Sequence, residues 1–518
     1  MQTTDRNLLI SIFFASVAFA ATAAAADVPQ WTPQDFSFKA DSVPKTPFAV
    51  SIAATVEGPG GSRFMLSGFY DGDGTWKIRV SLNATGRWSL VTRSDVNGLD
   101  GKRVEFICVK NDNPHVHGVL RVDTENPHHF IFEDGTRFFL QGYEYDWLWA
   151  LDMDKPGVPT VEKSLDILTQ HGFNYVILNS YAHDTKWCEG KSSDDDFGPS
   201  LLYPWEGDNE RPDHSRMNLK YWQHYDQVMT ALAERGVQAH MLVKVYNKDV
   251  KWPERGSDEE KLFFRWLVAR YAAYPNIIWD FSKEAHNEKD LGYKQGFLKW
   301  LRESDPYHHL TTVHDDDKVN DAGAYDKLTD FRADQGHAKY HELILRQRAR
   351  RAWPVANVES DYEHGPRGLD DKTYGKTHSP EETIRCAWEI QMAGGYNAYY
   401  YTYTAWDVIR PLDLPPGYGL YKHFGDFWRA TQYWKLEPAD QLVNDGWCIA
   451  QPGREYVVFQ NEAKPFTLDI AGVTKPLTAE WFNPHTGTRT AAGSYENGTA
   501  NFTPPPNWGN APLVLHLK

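Results

Sequence analysis

The sequence predicts a (β/α)8 barrel that lies between two smaller domains built from β-strands. Eight apolar strand-like runs alternate with amphipathic helical segments over residues 125–440, and this succession is the pattern of the barrel. Short strands separated by turn residues, without helical periodicity, fill residues 27–124 and 441–518. An open doubly wound sheet is the alternative, but it usually carries a Gly-rich nucleotide loop after its first strand, and the sequence has none.

Residues 1–26 have the features of a secretory signal peptide. Arg6 supplies positive charge, the run LLISIFFASVAFA is apolar, and small residues follow up to a cleavage position that we expect near Ala26. An uncleaved membrane anchor is the alternative, but the apolar run is short and its end is rich in alanine. No other stretch is apolar enough to span a bilayer. We therefore expect a secreted or periplasmic protein without stable membrane insertion after cleavage.

The two outer regions are expected to form β-sandwich domains. The clearest segment of residues 27–124 is FMLSGFYDGDGTWKIRVSL, in which two strand-like runs flank Asp71–Gly74. The Asp-Gly-Asp-Gly sequence predicts a hairpin turn. A calcium loop is the alternative, but the later ligands of such a loop are missing. Residues 441–518 contain runs such as EYVVFQNE and TAEWFNPHTG, which predict the second domain.

Several helices of the predicted barrel have sequence signals that mark where they begin or end. One helix begins at a capping box of Ser257 with Glu260, and another at a box of Ser379 with Glu382. A third helix ends at Gly236, where a C-terminal glycine belongs. The predicted strands, in chain order, are RFFLQGYEY, NYVILNSYAH, VQAHMLVKVY, NIIWDFSKE, HLTTVHDDD, DFRADQGH, VANVESDYE and YNAYYYTYTAW.

The composition favours a carbohydrate ligand. The formal net charge of −16 repels phosphate backbones and argues against nucleic acid as a partner. The chain has 20 Trp and 27 Tyr, and flat rings stack on the C–H faces of sugars. The four cysteines, Cys108, Cys188, Cys386 and Cys448, lie far apart without metal-ligand spacing. We therefore expect neither a zinc site nor a thiol nucleophile. Cys108, Cys386 and Cys448 are expected to be buried thiols, and no such expectation is made for Cys188.

Two glutamates are the candidate catalytic residues. Strand 4 ends at Glu284 and strand 7 ends at Glu359, and in a barrel the chemistry lies at the carboxyl ends of the strands. Two carboxyl groups that face one cleft are what the cleavage of a glycosidic bond requires: one protonates the leaving oxygen and the other attacks the anomeric carbon. Glu288 and Glu363 are alternatives that lie farther past the strand ends.

The chain resembles bacterial proteins in which a DUF5060-type domain precedes a DUF4038-like glycosidase barrel of the clan that includes many retaining glycoside hydrolases. The resemblance is carried by LSGFYDGDGTWKIRVSL, EDGTRFFLQG and, in the tail, GREYVVFQNE with AEWFNPHTG. It implies that Glu284 is the acid/base and Glu359 the nucleophile, with carboxyl groups about 5–5.5 Å apart. It also implies that Trp406, at the end of strand 8, forms the floor of the sugar subsite.

One residue departs from the pattern of that clan. An asparagine that contacts the sugar 2-hydroxyl usually precedes the acid/base, whereas this chain has Lys283. Lys283 indicates either an anionic sugar, with Lys244 as a second cation, or an ion pair that tunes a nearby carboxylate. The remaining rim candidates for substrate contact are Tyr143, Tyr145, Asn179, Tyr181, His314 and His337.

The sequence therefore predicts an exported retaining glycoside hydrolase that acts on a poly- or oligosaccharide, either neutral or anionic, and needs no metal or organic cofactor. A non-catalytic glycan-binding protein on the same scaffold is one alternative. A polysaccharide lyase for uronic-acid glycans is the other, because two lysines near the strand ends could neutralise a carboxylate. The chain lacks the HExxH, GxSxG and Walker motifs of metalloproteases, esterases and NTPases.

Overall fold

The central part of the chain is a (β/α)8 barrel, as the sequence predicts. In the computed structural model, the described residues are 27–183, 200–316, 323–366, 368, 377–404, 410–509 and 511–518. The barrel strands, all parallel and numbered 1 to 8 in chain order, are Gln141–Glu144, Tyr175–Asn179, Gln238–Val245, Ile277–Lys283, Thr311–Thr312 with His314–Asp316, Arg332–Gln335, Val355–Glu359 and Tyr396–Tyr401.

The barrel closes through strand 5, which is split into two short pieces. Thr311–Thr312 pairs with strand 4, and His314–Asp316 pairs with strand 6. Strand 1 pairs with strands 2 and 8. The carboxyl ends of strands 4 and 7 therefore lie on the same rim, three strands apart around the ring.

Helices cover the outside of the barrel wall. They are α1 Pro159–Gln170, α2 Leu219–Glu234, α3 Asp258–Tyr271, α4 Leu291–Ser304, α5 Tyr340–Arg350, α6 Pro380–Met392 and α7 Gly417–Arg429. Both predicted N-caps are present, because the side chains of Ser257 and Ser379 accept the backbone N–H of Glu260 and Glu382. Only Ser379 completes a capping box, since the Glu260 carboxylate binds Gly256 and Lys244 instead.

The N-terminal region contains two sheets that pack around a core of their own. The five-stranded sheet has the order Asp27–Pro29, Arg103–Val109, Gly86–Ser94, Ile52–Glu57, Arg63–Ser67, and the three-stranded sheet has the order Gln34–Lys39, Thr75–Val80, Phe69–Tyr70. The predicted hairpin turn is confirmed, with Asp71 N–H donating to the carbonyl of Thr75 at 2.9 Å. Asp71 binds Arg270 and Lys77 rather than being left open for a cation.

A small antiparallel sheet closes the amino-terminal end of the barrel. Its strands are Leu120–Val122, Phe130–Phe132 and Arg137–Phe138. The Phe130 ring lies 5.5 Å from the rings of Phe331 and Tyr396, which stand at the starts of strands 6 and 8. Because this end is plugged by aromatic side chains, access to the barrel interior is left to the carboxyl rim.

The C-terminal region is again built from strands. A six-stranded sheet has the order Glu437–Pro438, Trp447–Gln451, Glu455–Gln460, Leu513–Leu517, Leu477–Phe482, Arg489–Tyr495, and Phe466–Asp469 pairs with Thr499–Phe502. The Trp388 ring of α6 stacks on Phe459 at 5.4 Å, which joins this region to the barrel. Further short strands are Trp205–Gly207, Pro212–Met217 and Tyr362–Glu363.

Charged side chains join the N-terminal sheets to the barrel. Arg79 of the sandwich and Arg270 of α3 both bind Asp226 of α2, at 2.9 and 2.7 Å. Arg79 also binds Asp35, and Arg270 binds Asp71. Both guanidinium groups are buried, so the contact between the two regions depends on complete charge pairing.

The described cysteines and helices agree with two predictions from the sequence. Cys108, Cys386 and Cys448 are free, buried thiols, and Cys188 lies outside the described residues. Among the helices described, none combines the length and the apolar character that a membrane span requires. The signal peptide predicted over residues 1–26 also lies outside the described residues.

Candidate active site

Glu284 stands immediately after strand 4, at the carboxyl rim. Its backbone adopts the left-handed conformation with φ of +50°, which is strained for a residue with a side chain and is typical of functional sites. Two amides fix the carboxylate: Asn247 Nδ2 donates to Oε1 at 2.8 Å and Asn287 Nδ2 donates to Oε2 at 2.9 Å. The side chain keeps 18% exposure, so it can be reached from the rim.

Glu359, the last residue of strand 7, is almost completely buried. Tyr362 Oη and Gln335 Nε2 donate to Oε1, the latter at 3.1 Å. Lys283 Nζ lies 3.2 Å and His314 Nε2 3.5 Å from Oε2. The carboxylate is thus held on both oxygens by groups from strands 4, 5 and 6 and from the loop after strand 7.

The environments of the two glutamates push their pKa values in opposite directions. Burial raises the pKa of Glu284, and the negative charge of Glu359 raises it further, against a smaller opposing effect of Lys283. Burial also disfavours the charged form of Glu359, but Lys283, His314 and Tyr362 outweigh it and lower the pKa to about 2. A carboxyl pair with separated pKa values is the arrangement that assigns one acid and one permanent anion.

Lys283 forms ion pairs within the protein, which was one of the two interpretations of the sequence. Its ammonium contacts Glu144 Oε1 and lies 3.2 Å from both Asp146 Oδ2 and Glu359 Oε2. All four side chains are buried. The structure therefore offers no exposed ammonium at this position for an anionic sugar.

Glu144, His314 and Glu359 also meet the geometric condition for a metal site, with one potential ligand atom from each within 4.8 Å of the others. Lys283 Nζ, however, lies against Glu144 and Glu359. A protein cation thus already neutralises two of the three donors, and we do not assign these residues to a metal.

Three of the predicted substrate contacts face away from the carboxyl pair, which corrects the prediction for them. Lys244 Nζ binds Glu260 of α3 and Tyr293 of α4, each at 2.6 Å. Tyr143 Oη bonds with Tyr418 of α7, and Tyr145 Oη with Ser164 of α1. Their partners belong to the outer helices, so these side chains lie on the outer face of the barrel wall.

The other predicted contacts are spread around the rim. Asn179 shares a face of strand 2 with Tyr175, whose hydroxyl binds His240 of strand 3 across the interior. The amide of Asn179 is buried and has no hydrogen bond among the described residues. Tyr181 packs against Trp149 and Tyr221, on the side of α2.

His337 lies beside the nucleophile candidate, whereas the strand 8 candidate lies outside the described residues. The His337 ring is 6.0 Å from the ring of Tyr362 and bonds with the carbonyl of Ser360. Trp406 belongs to residues 405–409, of which the structure gives no description. The substrate roles of Asn179, Tyr181, His337 and Trp406 stay predictions.

Sequence reasoning missed the acids that hold Lys283, namely Glu144 and Asp146, and the residues that bind the two glutamates directly, namely Asn247, Asn287, Gln335 and Tyr362. The alternation of strand 1 could have revealed two of them. Tyr143 and Tyr145 pack outward, so residues 144 and 146 must point inward, and two acids there require a buried cation. Asn247, Gln335 and Tyr362 are polar residues of rim loops or strand ends with no local pattern.

The alternative carboxyls are engaged elsewhere. Glu288 binds Arg255 and the backbone N–H of Asp290. Glu363 is buried, accepts the hydroxyl of Tyr399 at 2.9 Å, and has a pKa raised by burial to about 7. In the Asp315–Asp317 run, burial raises the pKa of Asp315 to about 6, and Asp317 lies outside the described residues.

Comparisons with known proteins give the same architecture. A structure from Bacteroides vulgatus ATCC 8482, provisionally described as a glycoside hydrolase, aligns with a TM-score of 0.79 at 20% identity and covers 95% of this chain and 99% of its own. A glycoside hydrolase family 5 structure from the same organism aligns with a TM-score of 0.60 at 18% identity over 77% and 93% of the two chains. A search of curated proteins found no match.

The barrel fold and the family match place the chain among the glycoside hydrolases. The chain belongs to the family whose model is described as an apiosidase-like catalytic domain, which matches residues 124–437. A DUF5060 model matches residues 27–95, and a model provisionally described as a collagen-binding domain of a collagenase matches residues 439–516. The resemblance inferred from the sequence is thereby confirmed.

Proposed function

We propose that the protein is a retaining glycoside hydrolase that works by double displacement. The observation that carries the proposal is the unlike surroundings of two carboxylates at one rim: Glu284 accepts from two amides, whereas Glu359 is buried against the Lys283 ammonium. Burial accordingly raises the pKa of Glu284, and Lys283 lowers that of Glu359 to about 2 in spite of burial. At neutral pH Glu359 is an anion ready to attack the anomeric carbon. Glu284 protonates the leaving oxygen and then takes a proton from the incoming water.

The surroundings of the glutamates support these separate roles. Glu359 is buried and held by four side chains, as a nucleophile that attacks from a fixed position should be. Glu284 retains some exposure, accepts from two amides and has the His286 imidazole 3.8 Å from Oε2. Glu359 is instead bound by an ammonium, so protonation is favoured at Glu284 over Glu359. After the glycosyl-enzyme forms, Glu359 loses its charge, and the pKa of Glu284 should fall to suit its second role as a base.

We infer that the sugar beside Glu284 is uncharged. The anionic alternative rested on Lys283 and Lys244, and both are committed to carboxylates of the protein. The same contacts weaken the lyase alternative, which needs a free cation to neutralise a uronate. Because the family model is named for apiosidases, glycans with terminal apiose belong in the first substrate panel.

The test has two parts. A panel of neutral and uronic-acid polysaccharides, read by product mass, should yield hydrolysis products that are 18 Da heavier than lyase products from the same bond. Proton NMR of the first-formed sugar should then show the anomer of the substrate. Release of the opposite anomer would exclude double displacement, and an unsaturated product would establish the lyase instead.

Single substitutions test the role proposed for each glutamate. Glu359→Gln should abolish turnover while glycan binding persists, since no covalent intermediate can form. Glu284→Gln should lower kcat on a natural glycan by about 10²–10⁴-fold, the usual contribution of a general acid/base. Glu288→Gln, four residues farther on, is the matched control and should keep most activity. A protein that binds glycans without turnover in any form would instead be the non-catalytic binder.

We also propose that the enzyme acts in the periplasm or outside the cell, as residues 1–26 predict. Expression of the full chain in a bacterium, followed by fractionation and mass measurement of the amino terminus, checks this. Cleavage near Ala26 is the expected result.

A further inference from the structure

Lys283 stands directly before Glu284, yet its ammonium points to carboxylates of strands 1 and 7. We propose that Lys283 is a positioning residue: shared between Asp146 and Glu359, it keeps the Glu359 carboxylate ionised and oriented for attack, while the acids of strand 1 hold Lys283 in place. This inference rests on the proposed function, because it concerns the nucleophile of that reaction.

The geometry places Lys283 at the centre of a buried cluster. Its Nζ is 3.3 and 3.2 Å from the two oxygens of Asp146 and 3.2 Å from Glu359 Oε2, and it contacts Glu144 Oε1. The side chains of Lys283, Glu144 and Asp146 have 0% exposure, and Glu359 has 2%. Charges so far from water require direct partners, so the orientation of each group depends on the others.

The excess negative charge of the cluster falls to one when Glu144 carries a proton. Burial and the neighbouring anions of Glu359 and Asp146 raise the pKa of Glu144 well above its usual range, although Lys283 opposes this. Asp146 accepts a second hydrogen bond, from Tyr400 Oη at 2.7 Å. Two anions and one ammonium then remain. The single excess negative charge is available to Glu359, opposite the positive charge that develops on the anomeric carbon.

Other titratable groups face Glu359 from the neighbouring elements. Strand 5 contributes His314, whose pKa burial and Lys283 lower well below its usual value, so this imidazole is not a permanent cation. The loops after strands 6 and 7 contribute His337 and Tyr362, and Glu284 follows strand 4. Lys283 is therefore the permanent cation among the described groups that face this carboxylate.

The decisive experiment compares Lys283→Met with the wild type by the pH dependence of kcat/KM. An adjacent cation typically lowers the pKa of a carboxyl by 1–3 units. The acid limb of the kcat/KM profile is the pH range in which Glu359 becomes protonated. Removal of Lys283 should therefore move this limb upward by about 1–3 pH units. Labelling of Glu359 by a mechanism-based fluorosugar should slow over the same pH range. Circular dichroism at each pH confirms that the variant is folded.

Two matched variants distinguish an effect of the Lys283 charge from an effect of side-chain packing. Lys283→Arg keeps the cation and should restore the acid limb toward the wild-type position. Glu144→Gln replaces a protonated acid by an uncharged amide, and it should leave the acid limb in place whatever its effect on kcat. If Lys283→Met does not fold, the double variant Lys283→Met/Asp146→Asn removes one charge of each sign. It should still show an upward shift, smaller than that expected for the single variant because loss of the Asp146 anion acts in the opposite direction.

An unmoved acid limb in a folded Lys283→Met or double variant would overturn the inference. So would an upward shift in Glu144→Gln as large as that in Lys283→Met. Neither result touches the proposed function, which fails only if the wild-type product is inverted or unsaturated, or if Glu359→Gln keeps its turnover. The two failures are therefore distinguishable.

Discussion

At the scale of single residues, the site is defined by how unlike the two glutamates are. One carboxylate accepts only amide N–H groups and stays partly exposed, and the other is buried against an ammonium and an imidazole. The chemical type is the same, so the difference in protonation comes entirely from the surroundings. Such a difference has a direct consequence for the pH dependence of the reaction.

We expect kcat/KM to follow a bell-shaped curve in pH. The acid Glu284 must be protonated, so activity should fall as pH rises through its raised pKa. The nucleophile Glu359 must be ionised, so the acid limb should lie near its pKa of about 2. With an aryl glycoside whose leaving group needs no protonation, Glu284→Ala should lose the alkaline limb. If the alkaline limb survives unchanged in this variant, it reports the titration of another group.

The hydroxyl of Tyr362 should matter to the nucleophile. It donates to Glu359 Oε1, and a hydrogen bond to a charged group contributes about 1.5–3 kcal/mol. Tyr362→Phe should therefore lower kcat/KM by about 10–150-fold at the pH optimum, measured with the best substrate of the panel. Tyr401→Phe is the control, because its hydroxyl binds Asp413 instead; equal losses in both variants would point to general damage.

At the scale of elements, strand periodicity decides which side chains reach the site. The end of strand 1 and the two residues after it read Tyr143-Glu144-Tyr145-Asp146, and the tyrosines pack toward helices while the acids enter the barrel. As residues at a strand end, the tyrosines are predicted to contact substrate. Alternation in a strand would have favoured the acids, but which face points inward is set by the packing of α1 and α7.

Helix caps provide a test of local stability. Ser379 completes a capping box with Glu382, whereas Ser257 accepts only one backbone N–H. Loss of an N-cap usually costs about 1 kcal/mol. Thermal unfolding should show a larger drop in Tm for the double variant Ser379→Ala/Glu382→Ala than for Ser257→Ala, because two backbone donors lose their partners in the first case and one in the second. The reverse order would contradict the assigned hydrogen bonds.

At the scale of the whole molecule, the sandwich is attached to the barrel by buried charges. Asp226 of α2 receives both Arg79 and Arg270, and although burial disfavours its charged form, these guanidinium groups lower its pKa to about 2. Since the folded value lies below the unfolded value of about 3.9, the carboxylate stabilises the fold above pH 4. This stabilisation is lost as pH falls toward 2.

Asp226→Asn should destabilise the protein strongly. Breaking a buried pair leaves uncompensated charge and typically costs about 3–5 kcal/mol, and here two arginines lose a partner. Urea unfolding followed by fluorescence measures the effect. Asp426→Asn removes an exposed pair with Lys422 and should change stability by less than about 1 kcal/mol. Similar midpoints for the two variants would show that the interface does not depend on Asp226.

The sequence by itself determined the eight strands of the barrel, the helix caps and the ends of strands 4 and 7, because these follow from local periodicity and turn chemistry. The domain boundaries stay predictions, as do the catalytic roles of the two glutamates and the substrate roles of the rim residues that do not face outward. Only the tertiary structure decided that Lys283 faces Glu359 rather than a substrate, and that Glu144 and Asp146 hold it. A buried charge takes its partners from strands across the barrel interior, and residues 76 to 139 positions apart in the chain give no local pattern for that choice.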